Sequence, residues 1–139
     1  MTSALPWYVL FTPLLASAVI VLFTQRAHSL SALISVIAVI ISFVCACFVF
    51  VRADIRAAEI PWIDFPGILR VPIGFTFDQL SKTMLVLVTG VGGLIHIYSL
   101  GYMRDDPGKS RYFAALSFFM FSMLGIVLAN NFVMLFIFW

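Results

Sequence analysis

One titratable side chain lies deep inside a long apolar segment of this 139-residue chain. His96 falls within residues 83–103, a run of 21 residues that carries no formal charge. An imidazole can accept a proton at one ring nitrogen and release one from the other, and it titrates near neutral pH in water. Ionisable side chains inside membrane-spanning segments are rare and commonly mark pathways for ions or protons. The type and position of His96 therefore indicate a proton path across a membrane.

A structural role for His96 is the alternative interpretation. A buried imidazole also forms hydrogen bonds with the backbone or a hydroxyl of a neighbouring membrane helix, and such a contact contributes about 0.6 kcal/mol on average. The sequence leaves both interpretations open.

Three further residues near His96 have structural interpretations. Asp78 and Lys82 are four residues apart at the start of the same segment, so a helix would make them neighbours. We expect Asp78 to cap this helix and to form an interfacial ion pair with Lys82. Thr89 and Gly93 have the spacing of small residues that favours close approach of two membrane helices. Gly93 is therefore predicted to pack against a neighbouring helix.

Other kinds of chemistry have no motif in this sequence. It contains no nucleotide-binding loop, no haem-binding motif, no cluster of metal ligands and no nucleophile–base pair. Cys45 and Cys47 are two residues apart, so on a helix they point about 200° apart and cannot form a disulfide with each other. The net charge of +2 is too small to favour nucleic acid as a partner. We therefore expect the chain to bind no metal ion and no redox cofactor of its own.

The composition predicts that these residues are held in an all-α membrane protein. Hydrophobic residues make up 63% of the chain and charged residues 10%, whereas soluble domains carry about 25% charged residues. Uncharged runs predict four transmembrane helices and the start of a fifth, at about residues 4–24, 30–51, 80–103, 112–129 and 132–139. Pro13 lies inside the first of these helices, where we expect a kink.

A different pattern separates the second helix from the third. Residues 52–59 alternate in charge and form a polar linker, which ends the N-terminal region 1–59. Residues 60–77 contain three prolines, a turn signal at Pro66 and Gly67, and alternating apolar residues near their end. This pattern predicts a small extramembrane β-hairpin at the start of the second region, 60–139. An irregular loop is the alternative.

Four crossings place residues 24–29 and 103–111 on one side of the membrane and residues 52–82 on the other. Each side carries four Lys or Arg residues, so the positive-inside rule does not orient the chain. The shorter loops hold their charge more densely, which favours the cytoplasmic side for them.

Residues 132–139 are apolar but form only about 12 Å of helix. We therefore expect the chain to be a fragment that stops within a fifth crossing.

Several short motifs in the second half of the chain resemble a known family. They are residues 78–81 (Asp-Gln-Leu-Ser), 88–92 (Val-Thr-Gly-Val-Gly), 94–96 (Leu-Ile-His), 101–104 (Gly-Tyr-Met-Arg) and 110–114 (Ser-Arg-Tyr-Phe-Ala). The family comprises the antiporter-like L subunits of bacterial NADH:quinone oxidoreductase (respiratory complex I), whose mitochondrial equivalent is subunit 5. The resemblance covers residues 60–139, whereas residues 1–59 match only in their helix pattern.

This resemblance implies a proton-translocating subunit in the membrane arm of complex I, which couples NADH oxidation and quinone reduction to proton transport. NADH, FMN, iron–sulfur clusters and quinone belong to the parent complex, and the chain itself is expected to bind none of them. The expected partners are the other membrane-arm subunits and the lipid bilayer, in the inner (plasma) membrane of the cell. His96 matches a histidine often present in the third helix of the family.

Two departures from the family pattern limit what the resemblance implies. Asn130 and Asn131 stand where the family usually has Asp-Asn. Trp139 is the last residue, directly before the position of the family's key glutamate, so no catalytic residue of the family can be placed on this chain. The alternatives are a subunit of a multisubunit sodium/proton antiporter or membrane-bound hydrogenase, and a non-transporting membrane scaffold that only packs against partner helices.

Overall fold

The computed structural model describes residues 4–52, 60–65 and 69–139. Within these residues the chain forms four long helical segments, a short further helix and one β-hairpin. The helices are α1 (Leu5–Val19), which continues as a π-segment (Ile20–Thr24), then α2 (His28–Val51), α3 (Gln79–Tyr102), α4 (Lys109–Leu128) and α5 (Phe132–Phe138). The strands β1 (Ile60–Phe65) and β2 (Leu69–Ile73) lie between α2 and α3.

Among the described residues, four helical segments are long and apolar enough to cross a membrane. They contain 20, 24, 24 and 20 residues, with α1 and the π-segment taken as one. At about 1.5 Å per residue, each is about 30–36 Å long and matches a hydrocarbon core of about 30 Å. Large apolar side chains such as Leu22, Phe48, Leu94 and Phe119 are exposed on the outside of the bundle, as expected for surfaces that meet lipid or other subunits. The predicted all-α, multi-pass membrane fold is confirmed.

The fourth crossing begins earlier than the sequence predicted, at Lys109 instead of residue 112. The N–H of Gly108 donates to the Asp106 carboxylate at 2.6 Å, which closes the turn directly before the helix. Lys109 and Arg111 therefore lie in the first helical turn, where long basic side chains can reach lipid headgroups. The other three crossings begin and end within two residues of their predicted bounds.

Pro13 lies inside α1, and the helix continues on both sides of it. Proline has no backbone N–H, so the carbonyl of Val9, four residues earlier, loses its helical donor. The Ser42 hydroxyl of α2 donates to this carbonyl at 2.8 Å. A polar group that would otherwise be unpaired in hydrocarbon is thus satisfied by a neighbouring helix.

The predicted β-hairpin is confirmed in its two strands. β1 and β2 pair in antiparallel fashion from Ile60 opposite Ile73 to Phe65 opposite Leu69, with an irregularity between Pro61 and Ile63. The predicted turn at residues 66–67 and most of the polar linker lie outside the described residues. The second strand ends at Ile73 and does not continue to residue 77 as the alternation of apolar residues suggested.

The chain after β2 joins the hairpin to the end of α4. Phe75 forms an isolated β-bridge with Ala129, and the N–H of Thr76 donates to the carbonyl of Leu128 at 3.0 Å. The Asn131 side chain accepts the N–H of Met134 at 2.9 Å and so caps α5. Its amide nitrogen donates to the carbonyl of Pro72 at 2.8 Å. The break between α4 and α5 is therefore held against the base of the hairpin.

In the described part of the chain, the interior of the helical bundle contains two apolar clusters. The larger cluster lies near the hairpin and consists of Val9, Leu10, Ala46, Val49, Phe75, Leu85, Leu124, Leu128 and Met134. The smaller cluster lies at the opposite end of the bundle and consists of Ile20, Ala32, Val36, Phe113 and Ala114. α1 packs against α2 and α4, and α3 packs against the same two helices. The buried side chains of α3 therefore face α2 and α4.

The pairing of Ser42 with the carbonyl freed by Pro13 makes a stability prediction. Ser42→Ala leaves the Val9 carbonyl buried without a donor, so we expect the free energy of unfolding to fall by about 1–3 kcal/mol. Pro13→Ala restores the helical donor, so Ser42→Ala should be much less destabilising when combined with it. Chemical unfolding of the four variants in detergent, arranged as a double-mutant cycle, measures this coupling. An equal effect of Ser42→Ala with and without Pro13→Ala would contradict the pairing.

Candidate functional site

The inner face of α3 carries an unusual number of polar residues for a membrane helix. Its buried residues are Lys82, Leu85, Thr89, Gly92, His96 and Ser99. They recur every three or four residues, which is the spacing of a single helix face. Polar side chains within membrane helices usually face the interior of the bundle and often have a function. The candidate site is therefore the surroundings of His96 on this face.

His96 is fully buried, with a relative exposure of 0%. Its Nδ1 lies 2.7 Å from the backbone carbonyl of Gly92. Because a carbonyl can only accept, Nδ1 must carry the proton and donate. In the neutral ring, Nε2 then has a lone pair that can accept a proton. Among the described residues Nε2 has no hydrogen-bond partner, although it is buried.

Hydroxyl groups of α2, α3 and α4 lie in the same part of the bundle as His96. The Ser99 hydroxyl, one turn further along α3, lies 3.0 Å from the Tyr112 hydroxyl of α4. The hydroxyls of Ser35 in α2 and Ser117 in α4 lie 2.6 Å apart. Both of these serines are fully buried. The Phe113 ring packs near the imidazole, with the ring centroids 6.4 Å apart.

His28 lies at the end of this polar region and begins α2. Its side chain is exposed. Its Nδ1 is also 3.0 Å from the Ser110 hydroxyl of α4. This hydrogen bond joins the loop before α2 to the loop before α4. The two loops therefore lie at the same end of the bundle, as the number of crossings predicted.

Asp78 and Lys82 have different described partners. The Asp78 carboxylate accepts the backbone N–H of Ser81 at 2.6 Å and so caps α3. Hydrogen bonds from the Ser81 side chain and backbone hold the pKa of the Asp78 carboxyl below its ordinary value. Lys82 is only 6% exposed, and its ammonium donates to the carbonyl of Arg52 at 2.8 Å. Arg52 is the C-terminal cap residue of α2, where a positive charge is favoured by the helix dipole.

Glycines on α3 differ in how closely other helices approach them. A Cβ at Gly93 would lie 3.6 Å from Val39 of α2, which is an ordinary van der Waals contact. A Cβ at Gly92 would instead overlap the end of the Met120 side chain of α4. Gly93 therefore lies against α2 with ordinary spacing. Gly92, one position earlier, is the glycine of α3 that a side chain of another helix approaches most closely.

The structure adds polar residues that sequence reasoning did not single out. They are Ser35, Ser99, Ser110, Tyr112 and Ser117. A signal was present in α2, because Ser31, Ser35 and Ser42 follow one another at spacings of four and seven residues, which places them on one helix face. For metal ions, the described residues contain no group of three His, Cys, Asp or Glu side chains that could act as ligands.

The fold and the site define a class of protein: a multi-pass membrane protein with a buried histidine in its helical bundle. Comparison with known families gives a more particular result. A family model described as the N-terminus of chain 5 of NADH-ubiquinone oxidoreductase (complex I) matches residues 62–113. This range begins in β1, includes all of α3 and ends in the first part of α4. It contains His96, Asp78 and Lys82.

Three curated relatives are named as subunits of NADH-quinone or NADH-ubiquinone oxidoreductase. NADH-quinone oxidoreductase subunit L of Mycobacterium tuberculosis is 49% identical over 78 residues, or 56% of this chain and 12% of that protein. NADH-ubiquinone oxidoreductase chain 5 of Marchantia polymorpha is 37% identical over 129 residues, or 93% of this chain and 18% of that protein. Subunit L of Rickettsia typhi is 35% identical over 137 residues, or 94% of this chain and 21% of that protein.

These matches confirm the resemblance: the chain is a homologue of NADH-quinone oxidoreductase subunit L and NADH-ubiquinone oxidoreductase chain 5. The two longer alignments extend into residues 1–59, where the sequence had suggested a match in helix pattern alone. The chain spans between 12% and 21% of the length of these relatives.

The cap at Asp78 makes a prediction about the start of α3. Asp78→Ala removes the acceptor for the Ser81 N–H, whereas Asp78→Asn keeps one, because Asn and Asp cap helices about equally well. We expect faster amide hydrogen exchange in residues 79–84 of Asp78→Ala than of Asp78→Asn at neutral pH. Equal exchange in the two variants would contradict the capping role.

The same cap predicts a dependence on pH. Since the pKa of Asp78 is lowered in the folded protein, its charge stabilises the fold above the ordinary carboxyl pKa of about 3.9 and this contribution is lost as the pH falls further. The difference in exchange between the unmutated protein and Asp78→Asn, measured at matched pH, should therefore shrink in acid.

Proposed function

We propose that this chain is the N-terminal part of a proton-translocating subunit in the membrane arm of an NADH:quinone oxidoreductase. The observation that carries the proposal is His96, a fully buried imidazole with an acceptor nitrogen that no described group occupies. Homology with proteins named subunit L and chain 5 of NADH oxidoreductases supports the assignment to this complex. In this proposal the subunit lies in the inner membrane of the cell, beside the other membrane-arm subunits.

The role of this chain is to bind and pass protons, while electron transfer occurs elsewhere. NADH, FMN, iron–sulfur clusters and quinone are then held by other parts of the complex. The described residues supply groups that suit proton movement: an imidazole and the hydroxyl pairs Ser35–Ser117 and Ser99–Tyr112. Three further residues position α3. Asp78 caps its N-terminus, Lys82 bonds the end of α2, and Gly93 packs against the face of α2.

Purification of the full-length protein that contains this chain tests the proposal. A tagged protein, extracted in mild detergent, should bring with it subunits that oxidise NADH. In reconstituted vesicles, NADH and a quinone should drive proton movement in the absence of sodium. Partners typical of an antiporter or hydrogenase, without an NADH-oxidising module, would contradict the proposal and support those families. A protein that moves no ion in any assembly would be a scaffold.

His96 makes a separate prediction. His96→Ala should lower the number of protons pumped per NADH oxidised, because no other described ionisable group is buried on this part of α3. Oxidation of NADH by an artificial acceptor should be unchanged, since it reports the NADH-oxidising module and not proton transport.

Val39→Ala is the matched control for His96→Ala, because Val39 is also fully buried and contacts α3. It removes packing without removing a titratable group, so its pumping ratio should stay normal. An equal fall in both variants, or normal pumping by His96→Ala, would reduce His96 to a packing residue.

A further inference from the structure

The outer surface of the bundle carries a groove between α1 and α4. These two helices pack against each other, and the buried Ser17 hydroxyl of α1 donates to the carbonyl of Ala114 in α4 at 2.9 Å. This hydrogen bond fixes how the two helices are rotated against one another. Exposed residues beside the contact therefore form the two walls of one groove, which we call the α1–α4 groove.

Apolar side chains of α1 and its π-segment form one wall of the groove. They are Phe11, Leu15, Val19 and Leu22, all of which are exposed. Their spacing of three or four residues places them on one helix face. Arg26 follows Leu22 by four residues, and its side chain is exposed in the turn after the π-segment. An exposed arginine therefore lies at the end of an apolar stripe.

The wall formed by α4 has the same order of residues. Arg111, Ala115 and Phe118 are exposed and follow one another at spacings of four and three residues. The Phe118 ring contacts the Phe121 ring, with the centroids 6.1 Å apart. Phe121 in turn contacts Phe11 of α1, with the centroids 6.3 Å apart. The two stripes therefore lie on the same side of the contact between α1 and α4.

The length of the groove matches one leaflet of a membrane. Ten residues separate Arg111 from Phe121, which is about 15 Å along α4. Along α1, 13 residues separate Phe11 from Thr24 at the end of the π-segment, which is about 20 Å. Half a bilayer is about 15 Å of hydrocarbon, or about 20–22 Å with its headgroups. The contact between Phe11 and Phe121 therefore closes the groove near the middle of the membrane.

A hydrogen bond between two loops brings the two arginines to the same end of the groove. His28 Nδ1 lies 3.0 Å from the Ser110 hydroxyl. Arg26 is two residues before His28, and Arg111 directly follows Ser110. Among the described residues, neither arginine has an ion-pair partner. Two exposed positive charges from different parts of the chain therefore lie together where the groove meets the membrane surface.

Nearby carboxylates do not balance this charge. We define the loop side as the end of the bundle that carries residues 25–28 and 103–111. Its described acidic residues are Asp105 and Asp106, and its described basic residues are Arg26, Arg104, Lys109 and Arg111. The Asp106 carboxylate accepts the N–H of Gly108 at 2.6 Å. The excess of positive charge favours a negatively charged partner at this end.

An anionic phospholipid meets both requirements of the groove in one molecule. Its phosphate pairs with guanidinium groups, and its acyl chain fits an apolar wall. An acidic peptide would supply the charge, but extended backbone within hydrocarbon would leave its polar groups unpaired. A further apolar helix would cover the stripes without supplying an anion for the arginines. Charge at the surface and apolar walls below it follow the order of head and tail in a lipid.

We propose that the α1–α4 groove binds one anionic phospholipid, with its phosphate between Arg26 and Arg111 and an acyl chain along the two apolar stripes. The inference does not depend on proton transport, and it assigns a ligand to a different face of the chain. The chain of the lipid ends at the contact between Phe11 and Phe121. Beyond this contact α5 approaches α4, where the Phe138 ring lies 5.3 Å from the Phe121 ring.

Photolabelling of the full-length protein in its complex tests the proposal. The complex is reconstituted into phosphatidylcholine vesicles with a small amount of phosphatidylglycerol that carries a photoactivatable acyl chain, and mass spectrometry identifies the labelled residues. We expect labels in residues 15–22 of α1 and 115–118 of α4. Phosphatidylcholine with the same photoactivatable chain should label them much more weakly. Equal labelling by the two lipids, or labels elsewhere only, would overturn the proposal.

Variants of the arginines separate a binding site from a general effect of charge. Arg26→Gln with Arg111→Gln should lower labelling by phosphatidylglycerol, by roughly fivefold for each arginine removed. Arg26→Lys with Arg111→Lys keeps both charges and should retain most of the labelling. Arg104→Gln is the matched control, because Arg104 is an exposed arginine of the loop side that follows α3, away from the groove. An equal fall in Arg104→Gln would overturn the site.

A high-resolution map of the intact complex supplies a measurement that does not depend on variants. The expected result is elongated density in the α1–α4 groove that begins between Arg26 and Arg111 and ends near Phe121. A free anion between the arginines without density for an acyl chain, or a protein helix that fills the groove, would overturn the lipid site.

Discussion

The hydrocarbon core of a membrane supplies no water to a polar group, and the arrangement of this chain follows from that constraint. Pro13 frees the carbonyl of Val9, and Ser42 of a neighbouring helix satisfies it. The Ser17 hydroxyl of α1 likewise donates to the carbonyl of Ala114 in α4 at 2.9 Å. Each of these bonds crosses between two helices. They fix which faces of the helices meet, whereas apolar packing alone would allow the helices to slide.

Against this background, His96 is the exception that suggests a function. The described serines and threonines of the bundle interior find partners, but one nitrogen of a fully buried imidazole does not. An unpaired acceptor at this depth is unfavourable. In the proposed function, this free nitrogen is the atom that accepts the proton.

Much of the fold could be predicted from the sequence because membrane segments are defined by length and by the absence of charge. Uncharged runs predicted the bounds of the four crossings to within three residues, and prolines with alternating apolar residues predicted the hairpin. The exact end of β2 could not be found in this way, since Phe75 pairs with Ala129, a residue more than fifty positions away in the chain. Contacts of that kind depend on how helices pack and leave no local pattern.

The site was predictable only in part. A histidine in an uncharged run is visible in the sequence, but the pairing of Ser35 with Ser117 depends on the register of two helices that are not adjacent in the chain. Gly92 and Gly93 are equally small, and only the rotation of α3 shows that the first faces Met120 and the second Val39. Lys82 could be assigned to the end of the helix, whereas its bond to the Arg52 carbonyl requires the geometry of two helix ends.

In the proposed function, His96 changes its protonation state during turnover of the complex. Infrared difference spectroscopy of the complex with isotope-labelled histidine, recorded with and without turnover on NADH and quinone, measures this change directly. We expect the signal of a neutral imidazole becoming imidazolium, and the loss of this signal in His96→Ala. A spectrum that is identical in the unmutated complex and in His96→Ala would contradict it.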